Sequence, residues 1–152
     1  MPLPEQAIQD IHKIREALEN IDQKSFPYPT SFNLEKFPKG CCGDTIDLIG
    51  YYLLKHYNID SYFITKKGWK KDPEVNHAWL QYEGAIIDLT ADQFNDEHGL
   101  SLPPVIIERD SDLHKSFKIT EKEPQLISER AWVIEERSGI PAVLDMVRNK
   151  LK

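Results

Sequence analysis

Apolar residues at Ile8, Ile11, Ile14, Leu18 and Ile21 recur at helical spacing, and polar residues fill the positions between them. Pro4 suits a first-turn position, so the pattern predicts an amphipathic surface helix over residues 5–21. A connector rich in Pro follows, from Phe26-Pro27-Tyr28-Pro29 to Phe37-Pro38-Lys39-Gly40, and resists regular structure. A second helix is predicted to start at Cys41 or Cys42 and to end near residues 56–58. Ile46, Leu48, Ile49, Tyr51, Tyr52, Leu53 and Leu54 leave it almost no polar face, which marks a buried helix. Asp44 and Asp47 near its start, with Lys55 and His56 in its last turn, complement its dipole.

Beyond residue 60 the period shortens. Residues 61–65 read as a strand, and residues 66–74 as a Lys, Gly and Pro loop. Residues 75–82 form a second strand, Glu83-Gly84 a tight turn, and residues 85–89 a returning strand. Residues 105–108 are a candidate fourth strand. The signal then weakens until residues 140–151, a C-terminal helix with Pro141 in its first turn. Helices followed by an antiparallel sheet give an α+β class. A length of 152 residues fits one domain, with its core over about 37–94.

Composition narrows the functions. A net charge of -6 argues against nucleic-acid binding, which needs a clustered basic surface. The one basic run, Lys66-Lys67-Gly68-Trp69-Lys70-Lys71, is short and reads as a solvated loop. No apolar stretch approaches the ~20 residues of a membrane span, and the N-terminus lacks a basic start followed by an apolar run. Two adjacent cysteines make no disulfide framework. The expected location is the cytoplasm. No cofactor is expected, and no metal, since a second Cys or His ligand pair is missing.

Chemistry concentrates in three places. Cys42 falls at the start of the buried helix, where orphan N–H groups and the dipole favour a thiolate. Gly40 and Gly43 flank the cysteine pair and allow close backbone approach. His77 and Asp88 lie on neighbouring antiparallel strands within cross-strand reach. The carboxylate can orient the imidazole, and the imidazole can take the thiol proton. Trp79 shares the strand face of His77, so it is expected in the core and as a wall of the cleft. Asp92, Asp96 and Glu97 read as a solvated acidic loop. His12, His56, His98 and His114 lack a matching context and read as surface residues.

These residues resemble the transglutaminase-like superfamily. Gly40-Cys41-Cys42-Gly43-Asp44 is similar to its Gly-x-Cys-x-Asp helix start. His77-Ala78-Trp79-Leu80 resembles its His-Ala-Trp strand, and Ile87-Asp88-Leu89-Thr90 its Asp-x-Thr strand end. The resemblance covers residues 37–94. It implies a papain-like core, in which a Cys-bearing helix packs on an antiparallel sheet carrying His and Asp. It further implies Cys42 as nucleophile, His77 as general base and acid, and Asp88 as orienting carboxylate. The implied activity is that of a cysteine peptidase, amidase, deamidase or acyl transferase, acting on a protein, peptide or small amide or ester through a thioester. Trp79, Gln93 and Cys41 are the expected substrate-contacting residues. An oxyanion side chain is sought at Gln23, Asn33 or Gln93. The alternative is a binding or immunity-type module that keeps this fold without its chemistry, and a toxin or effector peptidase would share the site.

Overall fold

The computed structural model describes residues 2–151. Helix α1 (Glu5–Asn20) buries Ala7, Ile11, Ile14, Ala17 and Leu18, as the spacing predicts. Its polar face is not wholly solvated, because Arg15 is buried with them. The Pro-rich connector holds one short helix, α2 (Ser31–Leu34). Helix α3 (Cys42–Tyr57) is the central element, and Asn58 ends it in the left-handed conformation. Ile46, Leu48, Ile49 and Leu53 on α3 are fully enclosed.

Strands β1 (Tyr62–Trp69), β2 (Asp72–Tyr82) and β3 (Ala85–Asp88) follow. The basic run is therefore not a loop. Lys66 and Lys67 lie within β1, Trp69 is buried, and the turn is confined to residues 70–71. A register shift between Lys67 and Trp69 lets the β1–β2 hairpin extend this far, with Trp69 opposite Asp72. Helix α4 (Asn95–His98), β4 (Ile106–Glu108), α5 (Asp112–Lys115), β5 (Phe117–Thr120), β6 (Gln125–Leu126), α6 (Ile127–Arg137) and α7 (Ile140–Leu151) complete the described residues. The result is an α+β protein with a six-stranded antiparallel sheet in the order β4-β3-β2-β1-β5, where β6 also pairs with β1.

Strand alternation divides the interior in two. Ala78, Leu80 and Ile87 face α1, α3, α6 and α7 across the main core. Ile64, Trp69, Trp79, Phe94 and Phe117 form a second, largely aromatic cluster on the other face of the sheet. His77 and Asp88 share this second face and lie beyond the end of the β2–β3 ladder, where His77 pairs with Lys66 of β1. The β2–β3 ladder has its last rung at Leu80 and Ile87, and Asp88 pairs instead with Ile106 of β4.

Helix α3 approaches its neighbours most closely at Gly50. A Cβ there would sit 2.5 Å from Ile127 Cγ1 and 3.3 Å from Leu80 Cδ2. Alanine is the better helix former by about 1 kcal/mol, but overpacking a filled core costs about 1–3 kcal/mol. Ile127 is fully buried at the start of α6 and has little room to retreat. Gly50→Ala is therefore expected to destabilise the fold by up to about 2 kcal/mol. A lower urea midpoint at unchanged m-value is the reading, and a raised midpoint would show that α6 shifts freely.

Candidate active site

Cys42 is the first residue of α3, a helix of 16 residues. Its N–H and that of Gly43 belong to the first turn, which has no intrahelical acceptors. The loop ahead of it is fixed by Asp44, whose carboxylate accepts from both the N–H and the hydroxyl of Ser31 at 2.8 Å. The Cys42 thiol stands close enough to the His77 ring for that ring to lower its pKa, with a smaller lowering from the backbone of Ala78. Beside it opens a cleft of about 230 Å³, lined by Gly43, Phe63, Thr65, Asn76, Lys122 and Arg130 among others. The cleft thus lies over β1, β2 and the segment ahead of β6. Residues 66–74, expected as a loop, are instead largely strand.

His77 is fully buried, and its Nε2 lies 2.6 Å from Asp88 Oδ2. The other ring nitrogen, Nδ1, is left for the thiol and for Gln93, whose Nε2 lies 3.5 Å away. Phe94 meets the His77 ring edge-on, and Phe117 tilts over it. Asp88, also fully buried, takes more partners than the sequence suggested. Its Oδ1 accepts from the Thr90 N–H at 2.9 Å, and its Oδ2 also meets His114 Nε2 at 2.7 Å.

The charges follow from this enclosure. Burial opposes a thiolate at Cys42, but the His77 hydrogen bond and charge outweigh it and bring the thiol below its ordinary range. Burial likewise opposes an imidazolium at His77. The Asp88 charge and hydrogen bond, with Cys42 behind them, push it up to about 10. Asp88 is disfavoured by burial yet held well below the usual carboxylate range, through the charge of His77 and the hydrogen bonds of both histidines. All three shifts act toward thiolate, imidazolium and carboxylate in series.

The adjacent cysteine is different. Cys41 is fully buried, and its thiol faces the carbonyls of Ser31 and Lys39 at 3.6 and 3.5 Å. Burial pushes it up to about 12. Cys41 does not line the cleft, so its expected substrate contact is corrected: it is a packing residue. Trp79 lies in the core as expected, and only its expected place on the cleft wall is corrected. It is 3% exposed, belongs to the aromatic cluster, and walls the chamber behind His77 rather than the cleft.

Gln93 does reach the site. Its Nε2 donates to Thr90 O at 2.9 Å, and its Oε1 accepts from the Gly40 N–H at 3.4 Å. The two contacts settle the orientation of the amide and tie the cysteine loop to the segment after β3. Gln23 and Asn33 do not reach it. Gln23 donates to Asn33 O, and Asn33 donates to Phe26 O.

Two further corrections concern charged groups. Asp92 is not part of a solvated loop. It holds the Arg15 guanidinium through both carboxylate oxygens, at 2.8 and 2.7 Å, while Arg15 also donates to the carbonyls of Leu89 and Pro104. Arg15 thereby anchors the backbone on both sides of Gln93 to α1. Among the histidines read as surface, His12 and His56 are exposed, His98 packs against Trp69, and His114 is buried beside Asp88.

His77, Asp88 and His114 bring three ligand-type atoms within 4.8 Å of one another. The two nitrogen–oxygen separations of 2.6 and 2.7 Å are hydrogen-bond lengths. Ligands at 2.0–2.1 Å around a tetrahedral ion stand roughly 3.3 Å apart, wider than these two separations.

No family model and no curated protein matches the chain. A structural-genomics crystal structure resembles it at a TM-score of 0.41 and 12% identity, covering 97% of this chain and 78% of that one. No helix among the described residues is long and apolar enough to cross a membrane.

Proposed function

We propose that the protein is a cysteine-nucleophile hydrolase or acyl transferase with a transglutaminase-like, papain-like core. One observation carries the reading: beside a thiol at the start of a long helix stands an imidazole whose Nε2 is 2.6 Å from a buried carboxylate. Nucleophile, base and orienting group stand in the order that acyl-transfer chemistry requires.

The steps follow from the charges. The Cys42 thiolate attacks the carbonyl carbon of an amide or ester, forming a carbon–sulfur bond and an oxyanion. The first-turn N–H groups of α3 and the second N–H of Gln93 Nε2 are the donors available to that oxyanion. As the intermediate collapses, the carbon–nitrogen or carbon–oxygen bond breaks. His77 gives its Nδ1 proton to the leaving amine or alkoxide. The thioester then meets water or a second amine, which His77 deprotonates, and the thiolate is released. Asp88 keeps the ring oriented throughout.

Alkylation of the native chain by iodoacetamide tests the reading. Cys42 is expected to react rapidly at neutral pH, with an inflection below the ordinary thiol range, because its proton is lost early. His77→Ala removes the partner that stabilises the thiolate, so the rate at neutral pH should fall at least tenfold and the inflection should rise. A Cys42 that reacts no faster than the urea-unfolded chain would sink the catalytic reading and favour a binding module.

A further inference from the structure

Asp88 Oδ2 is shared by two imidazoles, and the mechanism above uses only one. His114 stands on the single-turn helix α5 and is 3% exposed. Its Nε2 lies 2.7 Å from Asp88 Oδ2, and its Nδ1 lies 2.6 Å from Ser111 Oγ. The ring meets Trp79 edge-on at 4.6 Å between centroids. A side chain that merely filled space beside Trp79 and Phe117 would not need a partner on each nitrogen. Here both are engaged. When the Ser111 hydroxyl donates to Nδ1, the proton of the neutral ring stays on Nε2, aimed at the carboxylate.

We propose that His114, held by Ser111, is a positioning residue for the Cys42–His77 pair: it fixes the Asp88 carboxylate and divides its charge between two imidazoles. The inference rests on the reading of Cys42 and His77 as nucleophile and base. A carboxylate with one imidazole partner would bind His77 as a strong ion pair and hold its proton tightly. A second N–H donor on the same oxygen weakens that hold. His77 must both keep a proton for the leaving group and give it up, so a tempered carboxylate suits its two tasks.

The titratable groups beside His77 among the described residues are Cys42 from α3, Asp88 from β3, Lys66, its cross-strand partner on β1, and His114 from α5, whose ring centroid lies 6.1 Å away and which shares Asp88 Oδ2. Gln93, Trp79, Phe94 and Phe117 also adjoin the ring and carry no charge. Asp112 and Lys115 on α5 are exposed to solvent.

The test is an NMR titration of the His77 ring nitrogens in the full chain carrying Cys42→Ser, which removes the thiol from the coupled equilibrium. The resonance is assigned by its loss in His77→Gln. Adding His114→Leu is expected to raise the His77 midpoint by about one pH unit. His114→Gln retains an N–H donor and should return the midpoint to within a few tenths. Ser111→Ala should move it upward by less than His114→Leu, since it frees the tautomer without removing the ring. Should His114→Leu fail to fold, the Ser111→Ala and His114→Gln chains decide the matter. An unmoved midpoint in folded His114→Leu or Ser111→Ala, or equal shifts for the Leu and Gln variants, overturns the inference alone. A Cys42 that alkylates like an unfolded thiol overturns the proposed function first, and the inference with it.

Discussion

Asp88→Ala is expected to remove about 3–5 kcal/mol of folding stability, as removing one partner of a buried charge pair typically does. The carboxylate is fully buried and accepts from His77, His114 and the Thr90 N–H. Truncation leaves two enclosed rings and one amide without their acceptor. Total stability for a domain is typically 5–15 kcal/mol, so a urea titration at neutral pH will show the loss as a large fall in midpoint. Asp88→Asn keeps the volume and one acceptor, and should cost less. A truncated chain within about 1 kcal/mol of the parent would mean that water enters and replaces the carboxylate.

The same group ties stability to pH. The Asp88 carboxyl is held below its ordinary 3.8, so its contribution is present above that value and is lost as pH falls. His77 is pushed up from an ordinary 6.5 to about 10, so its contribution is complete below 6.5 and disappears as pH rises through about 10. The urea midpoint should therefore be highest between about 4 and 6.5, and Asp88→Asn should flatten both slopes.

The second large effect separates the two cysteines. With an activated aryl acetate as acyl donor, mass spectrometry is expected to find one acetyl group, on Cys42. Cys42→Ala should leave no thioester. His77→Gln should slow its formation by about 10²–10⁴, the usual worth of a positioned acid–base group. Cys41→Ala should acylate at close to the parental rate, because its thiol is enclosed, pushed up to about 12, and turned toward Ser31 and Lys39. Acetylation of Cys41 in the folded chain would reverse this assignment.

The contrast shows what the chain reveals before folding. Cys42, His77 and Asp88 were readable because each sits at a defined point of a strongly patterned element: a helix start or one of two strands joined by a two-residue turn. α1, α3 and α7 were readable from long apolar periodicities, and their observed limits differ from the expected ones by a residue or so. His114 was not readable. It stands on a helix of four residues, too short for a period, and its reason for burial is a carboxylate 26 positions earlier. Helix α6 was missed because only Ile127 and Ile134 are buried on it, while Trp132 and Val133 are exposed. The burial of Arg15 is not legible either, because a charged residue on an amphipathic helix usually lies in solvent and its acceptors are supplied by a segment more than 70 residues later. For His114 and Arg15 the deciding interaction is a long-range polar contact, which leaves no local pattern.

The dependence of Asp88 on His114 has a consequence for the birth of the protein. Translation delivers Cys42 well before the segment that encloses its partners. Until α5 and β5 close over the aromatic face, His77 and Asp88 remain hydrated and the thiol keeps the ordinary acidity of free cysteine, about 8.5. An unfinished or misfolded chain therefore carries a sluggish sulfur, and reactivity arrives only with a completed domain. The lowered pKa of the Cys42 thiol is thus a property of the closed domain and not of the local sequence around it.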